Sequence, residues 1–256
     1  MYHTTGFRRD QITDLCALVH AAWKDGNRDA EKLCPPILGL FTSIIVALTY
    51  MRRNRVQAEL AEAHGVSQPT ISRAISSVTP LLEQTLHRYV PTADELDADT
   101  QYIFDGTLLP CWSWASHPQL YSGKHKTTGM NVQIGANLHG HLVWISDPID
   151  GSRHDSHCLT VSGALDGLDP GESMADKGYV GSGMITPIKK PAHRRLLDWE
   201  KEFNTQVNRI RYVIEQVIAN FKTWRIMHTD YRRPIETFPE MISTVIALHF
   251  YKLACE

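Results

Sequence analysis

Hydrophobic positions in the first hundred residues follow the spacing of amphipathic helices. Apolar side chains recur at helical intervals, at Ile12, Leu15, Leu18 and Val19. A second apolar run covers residues 37–50, which is shorter than the roughly 20 residues that a membrane span requires. These patterns predict an all-helical N-terminal region in which the second run is a buried helix.

After residue 100 the pattern changes to that of strands. Met130 to Leu138 alternates apolar with polar or glycine positions, and a His139-Gly-His turn leads to a second apolar run, 142–145. This pattern predicts a β-hairpin. A short strand before Asp176 and helices near 156–165 and 200–224 predict a mixed α/β region. The acidic segment 93–100 is predicted to be a linker between domains at 1–92 and 101–256.

The stretch from Gln57 to Val78 has the pattern of a helix-turn-helix. Gly65 ends the first helix, and Ser67 and Pro69 can begin the second. The second helix is predicted to expose polar residues, namely Gln68, Thr70, Ser72, Arg73 and Ser76. Such side chains reach base edges and phosphates, so we interpret the motif as DNA-binding, although an ordinary helical hairpin has a similar pattern. We therefore expect a fragment of about residues 1–92 to bind DNA with sequence preference.

Composition and charge narrow the class of protein. The chain has 256 residues, 43% of them hydrophobic, and a net charge of −2, which excludes a disordered tail and a uniformly basic DNA-coating protein. Five scattered cysteines without a Cys-x-x-Cys pair indicate a reducing cytoplasm. The N-terminal residues do not have the pattern of a signal peptide.

The charge is unevenly distributed along the chain. Residues 186–233 hold eleven basic and five acidic side chains, a local net charge of +6. A solvated helix face is one explanation, and a DNA-binding surface is the other. The candidate phosphate-binding residues are Lys124, Lys126, Lys189, Lys190, Arg211 and Lys222. Trp112 and Trp114 could stack on an unpaired base, but half-buried packing is the more common role.

Three spaced carboxylates form a candidate metal site. Asp105 and Asp176 each follow a predicted strand and precede a glycine, and Glu215 lies beside the apolar stripe of the long helix. Carboxylate oxygens are the ligands that Mg²⁺ prefers. Asp-Gly also marks ordinary turns, and Arg211 with Glu215 could be a simple helix pair. Asp155 is either a helix cap or a further metal ligand, and His154, His157 and Cys158 lack the additional ligands of a zinc site.

Four motifs together resemble the DDE transposases, in particular the bacterial insertion-sequence relatives of the Harbinger transposases. They are Asp105-Gly-Thr, Gly151-Ser-Arg-His-Asp155-Ser, Asp176-Lys-Gly-Tyr and Arg211-x3-Glu215-x6-Lys222. The resemblance implies an RNase H-like fold, catalytic Asp105, Asp176 and Glu215, and two Mg²⁺ or Mn²⁺ ions, with Asp155 as a possible further ligand. It departs from many relatives at Asn208, where they carry tyrosine.

The implied reaction is metal-dependent cleavage of double-stranded DNA at the ends of a mobile element and strand transfer into target DNA. Because two element ends must be joined, we expect a homodimer on DNA, with contacts between residues 13–50; the other explanation is that the run 37–50 only completes the helical bundle. The alternatives are a non-catalytic repressor, a nuclease without strand transfer, and an unrelated metallohydrolase. The intact carboxylates disfavour the first, and the helix-turn-helix disfavours the last.

Overall fold

A computed structural model describes residues 1–26, 33–112 and 116–255. The chain divides into two compact units. The helical unit comprises Met1–Val90 and Lys222–Glu256, and the sheet unit comprises Pro91–Phe221. The expected second domain, 101–256, is divided between the two units, because its last 35 residues (222–256) pack with the helical unit.

The helices of the described ranges, in chain order, are α1 (Tyr2–Thr5), α2 (Arg9–Gly26), α3 (Gly39–Arg53), α4 (Gln57–His64), α5 (Gln68–Leu86), α6 (Asp155–Ser162), α7 (Asp198–Phe221) and α8 (Phe238–Ala254). The strands are β1 (Tyr102–Pro110), β2 (Tyr121–Ser122), β3 (Thr127–Asn137), β4 (Leu142–Ile145), β5 (Ile149–Asp150) and β6 (Met174–Ala175). None of the helices in the described ranges combines the length and the hydrophobicity of a membrane-spanning segment.

The core of the helical unit is built from both ends of the chain. The ring of Tyr251 on α8 packs against Phe7 and Tyr89, and the Thr244 hydroxyl donates to the backbone oxygen of Thr79 on α5 at 3.3 Å. On α3, the side chains at 43, 44 and 46–51 are all buried within the chain. The second half of the apolar run 37–50 therefore completes this bundle, whereas Ile37 at its start is 74% exposed.

The helix-turn-helix is present, but one residue that was expected on its exposed surface is buried. Gly65 ends α4 with a φ of 63°, a left-handed conformation that glycine adopts without strain, and α5 begins after Ser67. Thr70, which we expected to be exposed, is buried, and its hydroxyl pairs with that of Ser67 at 3.0 Å. Gln68, Arg73 and Ser76 remain exposed on α5, with Ser72 half-buried.

The sheet unit is organised around two long antiparallel strands. β1 and β3 pair from Tyr102↔Asn137 to Pro110↔Gly129, and β4 extends β3 as the predicted hairpin. The chain then crosses through α6, and β6 joins the other edge of β1 in parallel. The order β4-β3-β1-β6 confirms the expected RNase H-like mixed sheet with helices.

Segment 93–100, expected to be a linker, packs on the sheet unit. Ala93 and Leu96 contact a buried cluster that includes Phe104 and Trp144. The backbone N–H of Asp97 donates to the Tyr102 hydroxyl at 2.9 Å. This segment is thus attached to the sheet unit by both apolar and polar contacts.

Helix α7 is amphipathic, but fewer of its apolar side chains are buried than the sequence pattern predicts. The buried apolar members are Val207, Ile214, Val217 and Phe221. Phe203 and Ile210, which continue the stripe in the sequence, are 39% and 40% exposed. Helix α7 ends at Phe221, so Lys222 directly follows the helix that carries Glu215.

Candidate active site and DNA-binding surface

Asp105 lies in the middle of a buried strand. β1 continues to Pro110, so Asp-Gly is not a turn here, and the expectation that Asp105 follows a strand end is wrong. The residue is 9% exposed. One carboxylate oxygen accepts from the backbone N–H of Gly106 at 2.9 Å, and the other accepts from Arg211 Nη2 at 3.3 Å. Pairing with β3 over the whole strand holds the carboxylate rigidly.

Two side chains approach the backbone of Gly106 too closely to leave room for a Cβ atom. A Cβ at this position would lie 2.7 Å from Asp155 Oδ1 and 2.8 Å from Gln133 Nε2. Both distances are shorter than any van der Waals contact of a methyl group, so one of the two polar groups would have to move. The glycine of the Asp-Gly motif therefore makes room for a second carboxylate beside Asp105.

Asp155 is held by side chains of the sheet and of a basic loop. It is the first residue of α6, and its oxygens accept from Lys124 Nζ at 2.6 Å and from Asn131 Nδ2 at 2.9 Å. Within the described residues, its hydrogen bonds go to these side chains and not to the helix backbone. The helix-cap interpretation of Asp155 is therefore wrong.

A chain of hydrogen bonds behind Asp155 was not found from the sequence. Gln133 Nε2 donates to Asn131 Oδ1 at 3.1 Å, and the buried Tyr179 hydroxyl donates to Gln133 Oε1 at 2.6 Å. Burial, followed by the charges of the aspartates, raises the pKa of the Tyr179 phenol, so it remains a donor. The available signal was the polar half of the alternating strand, where Asn131 and Gln133 point to one face.

Asp176 follows β6 as expected and is fixed by a local hydrogen bond. Its Oδ1 accepts from the backbone N–H of Gly178 at 2.6 Å. A Cβ on Gly178 would lie 2.7 Å from Asp176 Oδ1 and 3.7 Å from Asp155 Oδ2. The carboxylates of Asp155 and Asp176 therefore converge on the same glycine.

The pKa of Asp105 depends on its burial and on the neighbouring charged groups. Burial raises the pKa of Asp105 to about 6; the charge of Arg211 opposes this shift, and the charges of Asp176 and Glu215 add to it. Glu215 reaches this group from α7, where it is exposed. The structure thus brings Asp105, Asp155, Asp176 and Glu215 to one region of the sheet unit.

Two cations lie among these carboxylates. Arg211 contacts Asp105 and Lys124 contacts Asp155. Burial lowers the pKa of Lys124, but the hydrogen bond to Asp155 and the charges of Asp155, Asp176 and Asp105 outweigh it, so the pKa is raised. Both residues are candidate DNA contacts from the sequence, and in the structure both pair with carboxylates of the site.

The carboxylate oxygens of the four acidic residues suit a hard divalent cation, although the described side chains are not already arranged around a metal position. All four acidic groups offer carboxylate oxygens, and burial, with a smaller contribution from the charges of Asp176 and Glu215, raises the pKa of Asp105. In the part of the chain that the structure describes, no group of three or more His, Cys, Asp or Glu side chains is arranged to hold a metal ion. One oxygen of Asp105 contacts Arg211, and one oxygen of Asp155 contacts Lys124.

Comparison with protein families agrees with this geometry. Residues 104–249, more than half of the chain, match the DDE superfamily endonuclease family, and residues 38–88 match the helix-turn-helix of DDE superfamily endonucleases. The chain belongs to the DDE superfamily endonucleases. This membership confirms the resemblance to insertion-sequence transposases on which the sequence interpretation depended.

Two relatives extend the likeness over most of the chain. A protein named "Putative transposase for insertion sequence element IS112", from Streptomyces albus G, is 29% identical over 82% of this chain and 79% of its own length. A second, named "Probable transposase for insertion sequence element IS702", from Microchaete diplosiphon, is 24% identical over 98% of this chain and 93% of its own length. This DDE endonuclease is therefore similar to insertion-sequence transposases in both of its units.

The remaining basic candidates of the sheet unit are solvent-facing. Lys126, Lys189 and Lys190 are exposed. Asn204 on α7 holds the segment that carries the two neighbouring lysines, because its amide exchanges hydrogen bonds of 2.7 and 3.1 Å with the backbone of Ile188. Trp112 is exposed, and Trp114 lies outside the described residues.

In the helical unit, the exposed end of α5 carries the candidate base-reading groups. Gln68 donates to Gln57 Oε1 at 2.6 Å, which connects the two helices of the motif across the turn. Arg73 Nη2 reaches the Thr70 hydroxyl at 3.3 Å. The helix-turn-helix and endonuclease regions together imply DNA binding.

Proposed function

We propose that this DDE endonuclease is a transposase that cuts DNA strands at the ends of a mobile element and joins them to target DNA. The observation that carries the proposal is the burial of Asp105 beside the charges of Asp176 and Glu215. Burial disfavours the ionised form of Asp105 even with Arg211 at 3.3 Å, and carboxylates with such raised pKa values cluster at functional sites. The names of the two relatives, both insertion-sequence transposases, support the same reaction class.

We propose Asp105, Asp155, Asp176 and Glu215 as the residues that hold two Mg²⁺ or Mn²⁺ ions. DDE superfamily enzymes generally use divalent metals. When bound, such ions activate a water or a 3′-hydroxyl as nucleophile and stabilise the leaving oxygen. Asn131, Gln133 and Tyr179 fix the orientation of Asp155, and Arg211 and Lys124 offset the charge of the carboxylates in the metal-free protein.

The partner in this proposal is double-stranded DNA, both the terminal repeats and the target. Gln68 and Arg73 on α5 are placed to reach base edges, and Lys126, Lys189 and Lys190 to bind phosphates. A homodimer on DNA follows from the reaction, because two ends must be processed together. Because most of α3 from Ser43 onward is buried within its own unit, we propose no position for the dimer interface.

The test is strand cleavage by carboxamide variants. Asp105→Asn, Asp176→Asn and Glu215→Gln should each reduce cleavage of DNA that carries the element ends by at least about a thousandfold, which corresponds to a loss of about 4 kcal/mol of transition-state stabilisation. DNA binding without divalent metal should be unchanged. Gel analysis of cleaved and joined products measures both reactions. Glu202→Gln, on an exposed position of the same helix, is the matched control.

The outcomes separate the alternatives. Near wild-type cleavage by any carboxamide variant would remove that residue from the catalytic set. Binding without cleavage in the unmodified protein would favour a repressor. Cleavage without joined products would favour a nuclease that lacks strand transfer.

A further inference from the structure

The segment between α7 and α8 carries three arginines and folds back onto the helix-turn-helix. Asn54, at the end of α3, adopts a left-handed conformation with a φ of 47° and is buried. Its amide donates to the Thr229 hydroxyl at 2.7 Å, and Arg232 Nη2 donates to the Asn54 backbone oxygen at 2.7 Å. The segment Arg225–Arg233 is thus attached to the corner between α3 and α4.

This attachment forms two adjoining grooves on the helical unit. One has a volume of about 550 Å³, and arginines from both ends of the chain line it, namely Arg53, Arg55, Arg225 and Arg232. The other, of about 420 Å³, joins Arg232 and Arg233 to Gln68 and Ser72 on α5. The two grooves share Arg55, Val56 and Arg232, so they form one continuous surface beside the recognition helix.

The charge of this surface is strongly positive. Within the described residues, Arg225, Arg232 and Arg233 make no ion pair with an acidic side chain, and Glu59 is the acidic residue that lines the grooves, where it pairs with Arg55 at 3.2 Å. Arg233 is held against α5 by a hydrogen bond of 2.6 Å to the Ser76 hydroxyl. Several guanidinium groups around an open groove supply the positive charge and the paired N–H donors that phosphate groups bind.

We infer that the segment Arg225–Arg233 forms a phosphate-binding groove for duplex DNA, so that the DNA-binding surface is built from both ends of the chain. The inference rests on the proposed function for its DNA substrate. Gln68 and Ser72 line the same groove as Arg232 and Arg233, so a backbone in the groove would place its bases next to α5. The groove would supply affinity and register, and α5 would supply base recognition.

The test is the salt dependence of DNA binding by the full chain in the presence of a chelator. Arg225→Gln combined with Arg233→Gln removes two proposed phosphate contacts and leaves Arg232, which anchors Asn54. With a duplex of roughly 30 base pairs and arbitrary sequence, the slope of log affinity against log salt should decrease by about 1.8, or 0.9 for each contact. Arg9→Gln with Arg88→Gln, two exposed arginines of the same unit outside the grooves, should leave the slope unchanged.

A single substitution distinguishes the loss of a phosphate contact from misfolding. Arg225 donates no side-chain hydrogen bond within the described residues, so Arg225→Gln should keep the melting temperature of the unmodified protein and decrease the slope by about 0.9. An unchanged slope in both variants, with normal binding by the unmodified protein, would overturn the groove. Reduced slopes in a protein that fails to cleave with Mg²⁺ would support the groove and count against the proposed transposase activity. A chain that binds no duplex at all would overturn both.

Discussion

The two units of this DDE endonuclease place their charged residues in opposite environments. In the sheet unit, the carboxylates of Asp105 and Asp155 are largely buried. Asp105 contacts Arg211 and the backbone N–H of Gly106, and Asp155 accepts hydrogen bonds from Lys124 and Asn131. In the helical unit, the core is apolar, and the arginines lie around open grooves. Chemistry at a phosphodiester needs charges that are held rigidly and shielded from water, whereas phosphate binding needs charges that DNA can reach.

The units also differ in how the chain builds them. The sheet unit is one continuous segment, whereas the helical unit needs Lys222–Glu256 as well as the first 90 residues. The added segment contributes large, fully buried side chains, among them Trp224, Tyr231 and Phe238. The difference between the units can be tested by the folding of the helical unit and by single substitutions in the sheet unit.

The largest expected effect is on folding of the helical unit. A fragment of residues 1–92, for which the sequence predicts DNA binding, should be unfolded. The loss of three buried aromatic side chains costs about 3–5 kcal/mol each, which together is comparable to the whole stability of a typical domain. The same fragment joined through a flexible linker to residues 222–255 should fold. Circular dichroism melting of the two proteins measures the difference. Cooperative melting of 1–92 alone would show that α8 is dispensable.

The next effect concerns Asp105 and pH. Its folded pKa of about 6 lies above its ordinary value, so the folded state holds the proton more tightly than the unfolded state, and the free energy of unfolding falls as pH rises from about 4 to about 6. Asp105→Asn cannot ionise and should escape this loss. In metal-free protein it should be more stable than the unmodified chain by up to about 3 kcal/mol at pH 7, with little difference at pH 4.

Urea denaturation at both pH values, with a chelator present, measures the effect. Asp94→Asn, an exposed position of the sheet unit, is the control and should match the unmodified protein. If Asp105→Asn were destabilised at pH 7, the contact with Arg211 would outweigh burial and repulsion. The site would then be a structural ion pair rather than a strained carboxylate group.

The smallest effect is expected from adding one methyl group to the site. Gly106→Ala should displace Asp155 or Gln133, which lie within 2.8 Å of the added Cβ. Cleavage should fall about tenfold, equivalent to about 1.4 kcal/mol of transition-state stabilisation. Gly123→Ala, where a Cβ would meet nothing within 4 Å, is the matched control. Equal cleavage rates in the two variants would show that the position of Asp155 does not limit the reaction.

Local patterns in the sequence predicted the elements that depend on neighbours along the chain. The helix-turn-helix depends on Gly65 and the residues that begin α5, and the hairpin of β3 and β4 depends on strict alternation and the turn at Gly140. The candidate carboxylates were also visible, because Asp105, Asp176 and Glu215 stand in recognisable motifs. Their assignment as metal ligands stays a prediction.

Contacts between distant residues were not predicted. The hydrogen bonds of Asp155 to Lys124 and Asn131 join residues 31 and 24 positions apart, and no local spacing encodes them. The burial of Thr70 and the exposure of Phe203 and Ile210 were missed for the same reason: helical periodicity defines a face but not how much of it a neighbouring element covers.

By itself, the sequence determined the class of the protein, the order of its elements and the identity of its acidic residues, because these follow from residue types at short spacings. Only the tertiary structure decided that Lys222–Glu256 completes the helical unit, and that Arg211 and Lys124 pair with the carboxylates of Asp105 and Asp155. Both decisions depend on which surfaces are removed from water together. That burial is a property of the whole packed chain, and a local pattern holds no information about the partner that covers it.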